Sequence, residues 1–284
     1  MKIIYSPKCL DYCETSHPES PRRVRESFLF LKEKGFEFEE PGLCNEADLL
    51  LVHEEGLIEK VKNGNFFEAD TPDLPGIYEY AKLSVAAAIL AMETALKGGT
   101  SFSLMRPPGH HATKRRLGGF CYFNNLAIAV KKALSSVKRI AIVDLDGHHG
   151  NGTQDIFLGE ERVVYLSLHQ FPAYPGTGAY SFENCFNFPL SPGTGEKKYL
   201  EALAEALEKV KKFNPELIAV SAGFDTAKGD PLLQLNLFPS SYEKSGKELA
   251  SLGRPIFSIL EGGYSRELPK CIYRYLQGLI KEES

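Results

Sequence analysis

The stretch RIAIVDLDGHHGNG (139–152) decides the fold, because an apolar run changes into a crowded polar segment within a few residues. Its first part, IAIV (140–143), is short and continuously apolar, which is typical of a strand buried on both faces. Two aspartates and two adjacent histidines, surrounded by glycines, follow directly. A buried strand that ends in such residues indicates a binding site at the edge of a sheet.

Four other segments share this pattern of an apolar run that ends in polar residues. They are TSFSLMRPPGHH (100–111), RVVYLSLHQF (162–171), ELIAVSAGFD (216–225) and RPIFSILEGGY (254–264). Helix-period segments lie between them, at 75–99, 124–137 and 195–213. This alternation predicts a single α/β domain over residues 1–284, with a central, mostly parallel sheet and helices on both faces. We expect the five polar segments to converge at the carboxyl ends of the strands, where the active site of such a fold lies.

Composition and charge weigh against several classes of protein. The 284 residues carry a formal net charge of −4, which does not favour nucleic-acid binding. No run approaches the roughly 18 apolar residues of a membrane span, and the N-terminus lacks the profile of a signal peptide. The six cysteines are scattered, as expected of reduced thiols. We therefore expect a cytoplasmic protein without a membrane or nucleic-acid partner, and leave open whether it forms oligomers.

Asp146 and His148 predict a metal site. Residues i and i+2 of an extended strand point the same way and lie roughly 6.5–7 Å apart along the chain. Asp225, at the end of another predicted strand, would supply a third ligand. One imidazole and two carboxylates leave coordination positions open, which is the catalytic pattern for zinc, and Fe²⁺ or Co²⁺ would also fit. Taken alone, the pair is more often a solvated aspartate and a surface histidine, and Asp225 is the residue that shifts the balance towards a metal site.

The adjacent histidines His110 and His111 suit general acid–base positions beside a hydrolytic water. Asp144 is the expected orienting partner of one and Asn151 of the other, because a hydrogen bond to the far ring nitrogen fixes the tautomer. The alternative is a loop with two exposed histidines. Neither a G-x-S-x-G elbow nor a P-loop occurs in the sequence.

Aromatic residues are candidates for contact with a substrate. Tyr264 follows two glycines, which allow close approach of a ligand, and its phenol could donate a hydrogen bond to a developing oxyanion. Phe120 and Tyr174 could form the walls of a narrow apolar slot. The alternatives are a tyrosine packed at a strand end and an ordinary aromatic core.

The other histidines carry less weight. His53 lies in a helix-period stretch and is expected on the surface of that helix. His169, at the end of a predicted strand, is expected to support the site. His17 lies in a proline-rich loop that could form part of the rim.

These residues resemble the zinc-dependent histone deacetylase superfamily, which includes protein lysine deacetylases and acetylpolyamine amidohydrolases. The matching stretches are HPESPRR, RPPGHHA, GGFCYFNNLAIA, VDLDGHHGNGTQDIF, PGTG, SAGFDTAKGDPL and LEGGY, in family order between residues 17 and 264. The resemblance implies an arginase-like α/β fold with a zinc ion at the end of a narrow tunnel. It also implies hydrolysis of an acetylated amine to acetate and the free amine.

The resemblance assigns roles by motif position. It implies that the zinc ligands are Asp146, His148 and Asp225. It implies that His110 and His111 are the acid–base pair, with His111 protonating the leaving amine, and that Tyr264 polarises the carbonyl. Further substrate-binding positions are Gly119, Phe120, Tyr174, Leu232, Gly263 and Asp70, the last being a rim aspartate that in some members holds the substrate backbone. A structural potassium site, partly of main-chain carbonyls, is implied at Asp144, Asp146, His148, Ser167 and Leu168.

The subgroup and the substrate are predicted from fewer residues. Asn151 resembles the class II and acetylpolyamine branches. Leu232 lies near a rim position where a polyamine-selective member would carry an acidic residue. Its apolar side chain favours acyl-lysine in proteins or peptides, or a broad substrate range, over an acetylated polyamine. Glu14, Glu19 or Asp70 could compensate.

Two other hypotheses stay open. A binuclear manganese ureohydrolase would need more carboxylate and histidine ligands and a DxHxD motif, where this chain has Asp146-Gly147-His148-His149. A non-catalytic acyl-amine or metal sensor on the same scaffold would be favoured by loss of Tyr264 or of a histidine of the acid–base pair, and neither is lost.

Overall fold

A computed structural model describes residues 1–280 of the chain. Its eight strands are β1 (Lys2–Ile4), β2 (Phe38–Glu39), β3 (Thr100–Ser103), β4 (Ile140–Asp144), β5 (Val163–Gln170), β6 (Cys185–Leu190), β7 (Leu217–Ala222) and β8 (Ile256–Leu260). They form one sheet in the order β2-β1-β3-β8-β7-β4-β5-β6. Every strand pairing in the described part of this sheet is parallel, so the prediction of a mostly parallel sheet is confirmed.

Helices flank the sheet and complete a single α/β domain. A short 3-10 helix (Pro7–Leu10) precedes α1 (Pro21–Glu33), α2 (Glu46–Leu49), α3 (Glu55–Asn63), α4 (Ile77–Leu96), α5 (Asn125–Ala133), α6 (Asn151–Phe157), α7 (Glu196–Phe213), α8 (Pro239–Ser251) and α9 (Leu268–Leu279). The helix-period segments correspond to α4, α5 and α7. Asn124 caps α5 by accepting a hydrogen bond from the Ala127 amide, 3.0 Å away, which explains where that helix begins.

The five strands predicted from the sequence are the five central strands of the sheet. They are contiguous in the order β3-β8-β7-β4-β5, and every residue of the last four is buried. Asp144 at the end of β4 is in register with Ser221 of β7 and Ser167 of β5. The polar segments that follow these strands therefore begin at the same level, on one edge of the sheet.

Two further findings concern membrane-spanning helices and the state of the cysteines. No helix within residues 1–280 is long and apolar enough to cross a membrane. All six cysteines are free thiols, as expected. The cytoplasmic location stays a prediction, and the predicted domain extends to residues 281–284, which lie outside the described part.

Candidate metal centre and active site

Asp146, His148 and Asp225 converge on one point at the carboxyl edge of the sheet. The His148 Nδ1 atom lies 2.7 Å from Asp225 Oδ2 and 3.3 Å from Asp146 Oδ1. Each residue offers one ligand atom, and these atoms all lie within 4.8 Å of one another. Both carboxylates are fully buried. Two carboxylate oxygens and an imidazole nitrogen held this close fit a divalent transition-metal ion and leave coordination positions open.

Backbone amides fix the orientation of both carboxylates. The Gly262 amide donates to Asp146 Oδ2 at 2.7 Å, and the Gly147 amide donates to Asp225 Oδ1 at 2.7 Å. The remaining oxygen of each carboxylate is thereby directed towards His148. A side chain at Gly262 would place its Cβ 2.6 Å from Asp146 Oδ2 and 2.7 Å from Asp225 Oδ2. The glycine is therefore required for the chain to pass this close to the ligands.

The buried negative charge explains why these residues would bind a cation. Burial and then the charge of Asp146 raise the pKa of Asp225 to about 7. A divalent ion between the two carboxylates would offset this repulsion.

Asp146 and His148 do not lie on an extended strand, contrary to the prediction. Strand β4 ends at Asp144, so that Asp146 and His148 lie in a bend beyond it and not on an extended strand. The two side chains meet because the bend turns them towards each other.

The two adjacent histidines lie beside the metal residues, and each has the predicted partner. The Nδ1 atom of His110 is 3.2 Å from Asp144 Oδ2, and that of His111 is 2.7 Å from Asn151 Oδ1. The two rings are 4.0 Å apart between centroids. Because both Nδ1 atoms are occupied, the Nε2 atoms are the ones available for proton transfer. The His110 Nε2 atom lies 3.7 Å from Asp146 Oδ1.

The two imidazoles differ in their electrostatic surroundings. Burial opposes a charge on His110, but Asp146 and Asp144 outweigh burial and raise the pKa of His110 to about 10. Burial, followed by the charges of His110 and His148, lowers the pKa of His111 well below its ordinary value. The neutral Asn151 offers less compensation to His111 than a carboxylate would.

Sequence reasoning missed two residues that support this pair. Tyr165, inside β5, donates from its hydroxyl to Asp144 Oδ2 at 2.9 Å. The fully buried Glu261 accepts from the backbone amides of Gly109 at 2.7 Å and His110 at 3.2 Å. The glutamate before two glycines in LEGGY was a visible signal of such a role, whereas Tyr165 looks like any residue of a buried strand.

A cavity of about 240 Å³ opens over the metal residues. Its lining consists of Asp70, Pro108, His110, His111, Gly119, Phe120, His148, Tyr174, Leu232, Gly262 and Tyr264. The Phe120 ring meets the Tyr264 ring edge-on at 5.8 Å, and the Tyr174 ring meets the His111 ring at 5.0 Å. Gly263, predicted to contact substrate, is not part of this lining. Gly262 takes that place.

The Tyr264 phenol faces the cavity as a free hydrogen-bond donor. No residue in the described part of the chain accepts a hydrogen bond from its hydroxyl. Arg23 lies over the ring, with the guanidinium carbon 4.7 Å from the centroid, and donates to the Gly263 carbonyl at 2.6 Å. Burial raises the pKa of Tyr264 well above its ordinary value, although Arg23 opposes this shift. The phenol therefore stays protonated at neutral pH.

The rim near Asp70 is held by backbone contacts. Asp70 Oδ1 accepts from the Gly119 amide at 3.0 Å. Gly119 has φ +58°, and a Cβ there would lie 2.4 Å from the His111 ring, so glycine is required for this close packing. His17 lies at this rim as expected, with its ring 4.6 Å from that of Phe120.

Two further histidines, His53 and His169, lie outside the cavity lining. His53 is buried at the end of a turn, not exposed on a helix. Its Nε2 atom accepts from the Asn124 amide at 2.8 Å, and its Nδ1 atom pairs with the Thr113 carbonyl at 2.9 Å. The ring therefore links two loops through hydrogen bonds, a role that the periodicity of the sequence does not predict. His169, in β5, has its Nδ1 atom 2.8 Å from Ser167 Oγ and its Nε2 atom 3.0 Å from the Gly178 carbonyl, and its support of the site stays a prediction.

Glu19 cannot act as an acidic residue of the rim, contrary to one expectation. Its side chain is 4% exposed and pairs with Arg106 at 2.7 Å and Arg23 at 3.0 Å. Burial opposes the charge of Glu19, but Arg106 outweighs burial and lowers the pKa of the carboxyl group. The network holds Arg23 beneath Gly263. Glu14 is exposed.

We expect Glu19→Gln to destabilise the fold by about 3–5 kcal/mol, because it leaves two buried guanidinium groups without their counter-ion. The stabilisation by Glu19 should be complete above the ordinary pKa of the carboxyl group and be lost as the pH falls through the lowered value. Denaturant unfolding at several pH values measures this. The control is Glu26→Gln, which removes an exposed ion pair with Arg22 and should change stability by less than about 1 kcal/mol. Equal effects of the two substitutions would contradict the prediction.

Comparison with known proteins gives consistent matches. Residues 17–279 match the histone deacetylase domain, a range that includes the metal group and the whole cavity lining. A protein named probable deacetylase, from Methanothermobacter thermautotrophicus, is 37% identical over 100% of this chain and 92% of its own length. The acetylpolyamine amidohydrolase of Mycoplana ramosa is 39% identical over 69% of this chain and 61% of its own length. The crystal structure of acetylpolyamine aminohydrolase from Burkholderia pseudomallei has a TM-score of 0.90 at 25% identity and covers 98% of each chain.

Proposed function

The chain belongs to the histone deacetylase family, a family of amide-bond hydrolases, and we propose that it is a zinc-dependent amidohydrolase that removes acetyl groups from acetyl-lysine in proteins or peptides. The observation that carries this proposal is the convergence of Asp146, His148 and Asp225 beneath the Tyr264 phenol and the histidine pair. The metal ligand His148, the histidine pair and Tyr264 all line one cavity. These are the groups that hydrolysis of an unactivated amide requires.

The residues of the chain divide the chemistry between them. A bound divalent ion would polarise the acyl carbonyl and lower the pKa of a water from 15.7 to about 7. The Tyr264 phenol donates a hydrogen bond to the carbonyl oxygen, where negative charge develops. The Nε2 atom of His111 accepts a proton as the water oxygen bonds to the carbonyl carbon. It returns a proton to the amine as the C–N bond breaks, which yields acetate and the free amine. His110, whose Nδ1 atom pairs with Asp144, supplies a positive charge beside the proton transfer at His111.

Zinc is the metal that the donor set favours, although Fe²⁺ and Co²⁺ accept the same ligands. We also propose a structural K⁺ at Asp144, Asp146, His148, Ser167 and Leu168. The register supports this, because Asp144 is paired with Ser167 on neighbouring strands. A binuclear manganese site is disfavoured, because His149 turns to Thr177 at 2.7 Å and Gln154 at 3.0 Å.

Leu232 in the cavity lining supports acetyl-lysine as the substrate class. An apolar side chain offers no partner to the distant ammonium group of an acetylated polyamine, whereas it can pack against the aliphatic part of a lysine side chain. The alternative is an acetylpolyamine amidohydrolase. The names of the relatives from Mycoplana ramosa and Burkholderia pseudomallei favour that alternative.

Initial rates of acetate release by zinc-loaded protein distinguish these substrates. An acetyl-lysine peptide is compared with N-acetylputrescine and N-acetylspermidine at equal concentration. We expect a higher kcat/KM for the peptide. A higher kcat/KM for the polyamines would overturn the proposed substrate and retain the amidohydrolase. Release of acetate from none of the three by metal-loaded protein would overturn the proposed function.

Asp70 is expected to recognise the backbone of a peptide substrate. Its Oδ1 atom accepts a hydrogen bond from the Gly119 amide, so Oδ2 is the oxygen that we expect to accept one from a substrate amide. Asp70→Asn should raise KM for the peptide about tenfold, which is the loss expected for one hydrogen bond to a charged group. N-acetylputrescine lacks a backbone amide and serves as the internal control. An equal change for both substrates would show that Asp70 acts only by holding the Gly119 loop.

A further inference from the structure

Asp230 is a buried carboxylate without an ion-pair partner in the described part of the chain. It lies in the segment that follows the metal residue Asp225 and precedes Leu232. Both of its side-chain oxygens accept hydrogen bonds from backbone amides. Oδ1 accepts from the Leu232 amide at 3.0 Å, and Oδ2 accepts from the amides of Tyr264 at 2.8 Å and Ser265 at 3.2 Å. One carboxylate thus joins two walls of the cavity.

The segment that carries Tyr264 needs such an anchor. Gly262 and Gly263 precede the tyrosine, and Gly263 has φ +119°, a conformation that favours glycine. Arg23 holds this segment from the amino-terminal side, through the Gly263 carbonyl. Asp230 holds it from the other side of the same peptide unit, through the Tyr264 amide. The peptide unit between Gly263 and Tyr264 is therefore hydrogen-bonded through both its carbonyl and its amide.

We propose that Asp230 is a positioning residue that holds the Tyr264 phenol in place over the metal centre and couples its position to that of Leu232. This inference rests on the proposed function of Tyr264 as the donor to the acyl carbonyl. Asp230 does not line the cavity, so it is not placed to contact a substrate there. It acts through the backbone of the residues that do.

The chemistry of the carboxylate suggests a selective substitution. Two of the three N–H groups share Oδ2, and the third points at Oδ1, so both edges of the group must accept. An amide side chain has one accepting and one donating edge. In Asp230→Asn, either Leu232 or the Tyr264–Ser265 pair therefore faces an N–H group. Displacement of a reacting group by about 1 Å can reduce the rate about 100-fold.

The test is a double-substitution cycle on the zinc-loaded protein with Asp230→Asn, Tyr264→Phe and the double variant. We expect Asp230→Asn to lower kcat by about 10- to 100-fold with a smaller change in KM. In the Tyr264→Phe background the same substitution should lower kcat by less than about threefold, because the group it positions is already absent. A kcat for Asp230→Asn within twofold of the unsubstituted protein, or effects that multiply in the double variant, would overturn the proposal.

Backbone amide hydrogen exchange gives a readout that does not depend on activity. The Tyr264 and Ser265 amides should exchange at least tenfold faster in Asp230→Asn. Unchanged exchange at these amides would overturn the positioning role of Asp230, whether or not the protein hydrolyses an acetylated amine. A lack of hydrolysis would instead overturn the proposed function.

The matched control is Asp48→Asn, since Asp48 accepts from the Asn45 amide at 3.1 Å at the start of α2 and does not line the cavity. It should change neither kcat nor the exchange of the Tyr264 amide. If Asp230→Asn does not fold, Asp230→Glu, which keeps two accepting edges on a longer side chain, takes its place in the same cycle.

Discussion

Asp225→Ala is expected to abolish metal binding and, with it, amide hydrolysis. Asp225 supplies one of the three buried ligand atoms, 2.7 Å from His148 Nδ1, and its other oxygen fixes the Gly147 amide. Alanine removes both contacts. After dialysis we expect the variant to retain less than about a tenth of the zinc that the unsubstituted protein binds. We expect kcat/KM to fall by at least about 1,000-fold, because loss of a residue that only supports a metal ligand already lowers affinity or activity by about 10- to 100-fold.

Elemental analysis and acetate release measure the two effects on the same sample. Asp11→Ala is the control, since Asp11 is exposed and does not belong to the site. Full zinc occupancy in Asp225→Ala would show that the ion binds elsewhere. Zinc loss together with unchanged hydrolysis would show that the metal group takes no part in the reaction.

Tyr264→Phe is expected to separate metal binding from catalysis. The substitution removes one hydroxyl group and keeps the ring that packs against Phe120 and Arg23. Because the hydroxyl bonds to no acceptor in the described part of the chain, its loss leaves no buried partner unsatisfied. Zinc content and the unfolding midpoint should therefore stay unchanged. The kcat should fall by about 100- to 1,000-fold, which is the effect of removing one oxyanion donor.

The matched control is Tyr180→Phe, because Tyr180 is an exposed tyrosine outside the cavity lining. It should hydrolyse the peptide at the rate of the unsubstituted protein. Hydrolysis at that same rate by Tyr264→Phe would rule out the role assigned to the phenol. A parallel loss of zinc would mean that the residue acts on the metal site and not on the acyl group.

The five central strands could be predicted from the sequence, whereas the outer strands β1, β2 and β6 could not. Strands β4, β5, β7 and β8 are buried on both faces, so they are continuous apolar runs. Strands β1 and β2 have only three and two residues, and edge strand β6 contains Pro189 and alternates in burial. Short or half-exposed strands carry no comparable signal.

Residues at the ends of the central strands were predictable for the same reason. Parallel strands bring their carboxyl ends together, so Asp146 and Asp225 were expected to meet although they are 79 residues apart in the chain. The orienting partners of the histidine pair also followed from chemistry, because each Nδ1 atom needs an acceptor.

Buried polar residues outside these strand ends were missed or misjudged. Glu19 was one of three acidic residues named as able to compensate for Leu232, and it is instead an internal counter-ion. His53 was expected on a surface and instead joins two loops. Asp230 carried no expectation. In each case the role depends on a backbone group or a partner far along the chain. Such pairings are set by the three-dimensional path of loops, and local sequence patterns do not encode them.

The most direct test of the central claim is a titration of metal-free protein with zinc, followed by acetate release from an acetyl-lysine peptide. We expect no acetate release without metal, and a rate of release that rises linearly with zinc and reaches its plateau at one zinc per chain. Asp146, His148 and Asp225 form one ligand group in the described part of the chain. Acetate release by the metal-free protein, or none at full zinc occupancy with all three acetylated substrates, would contradict the central claim.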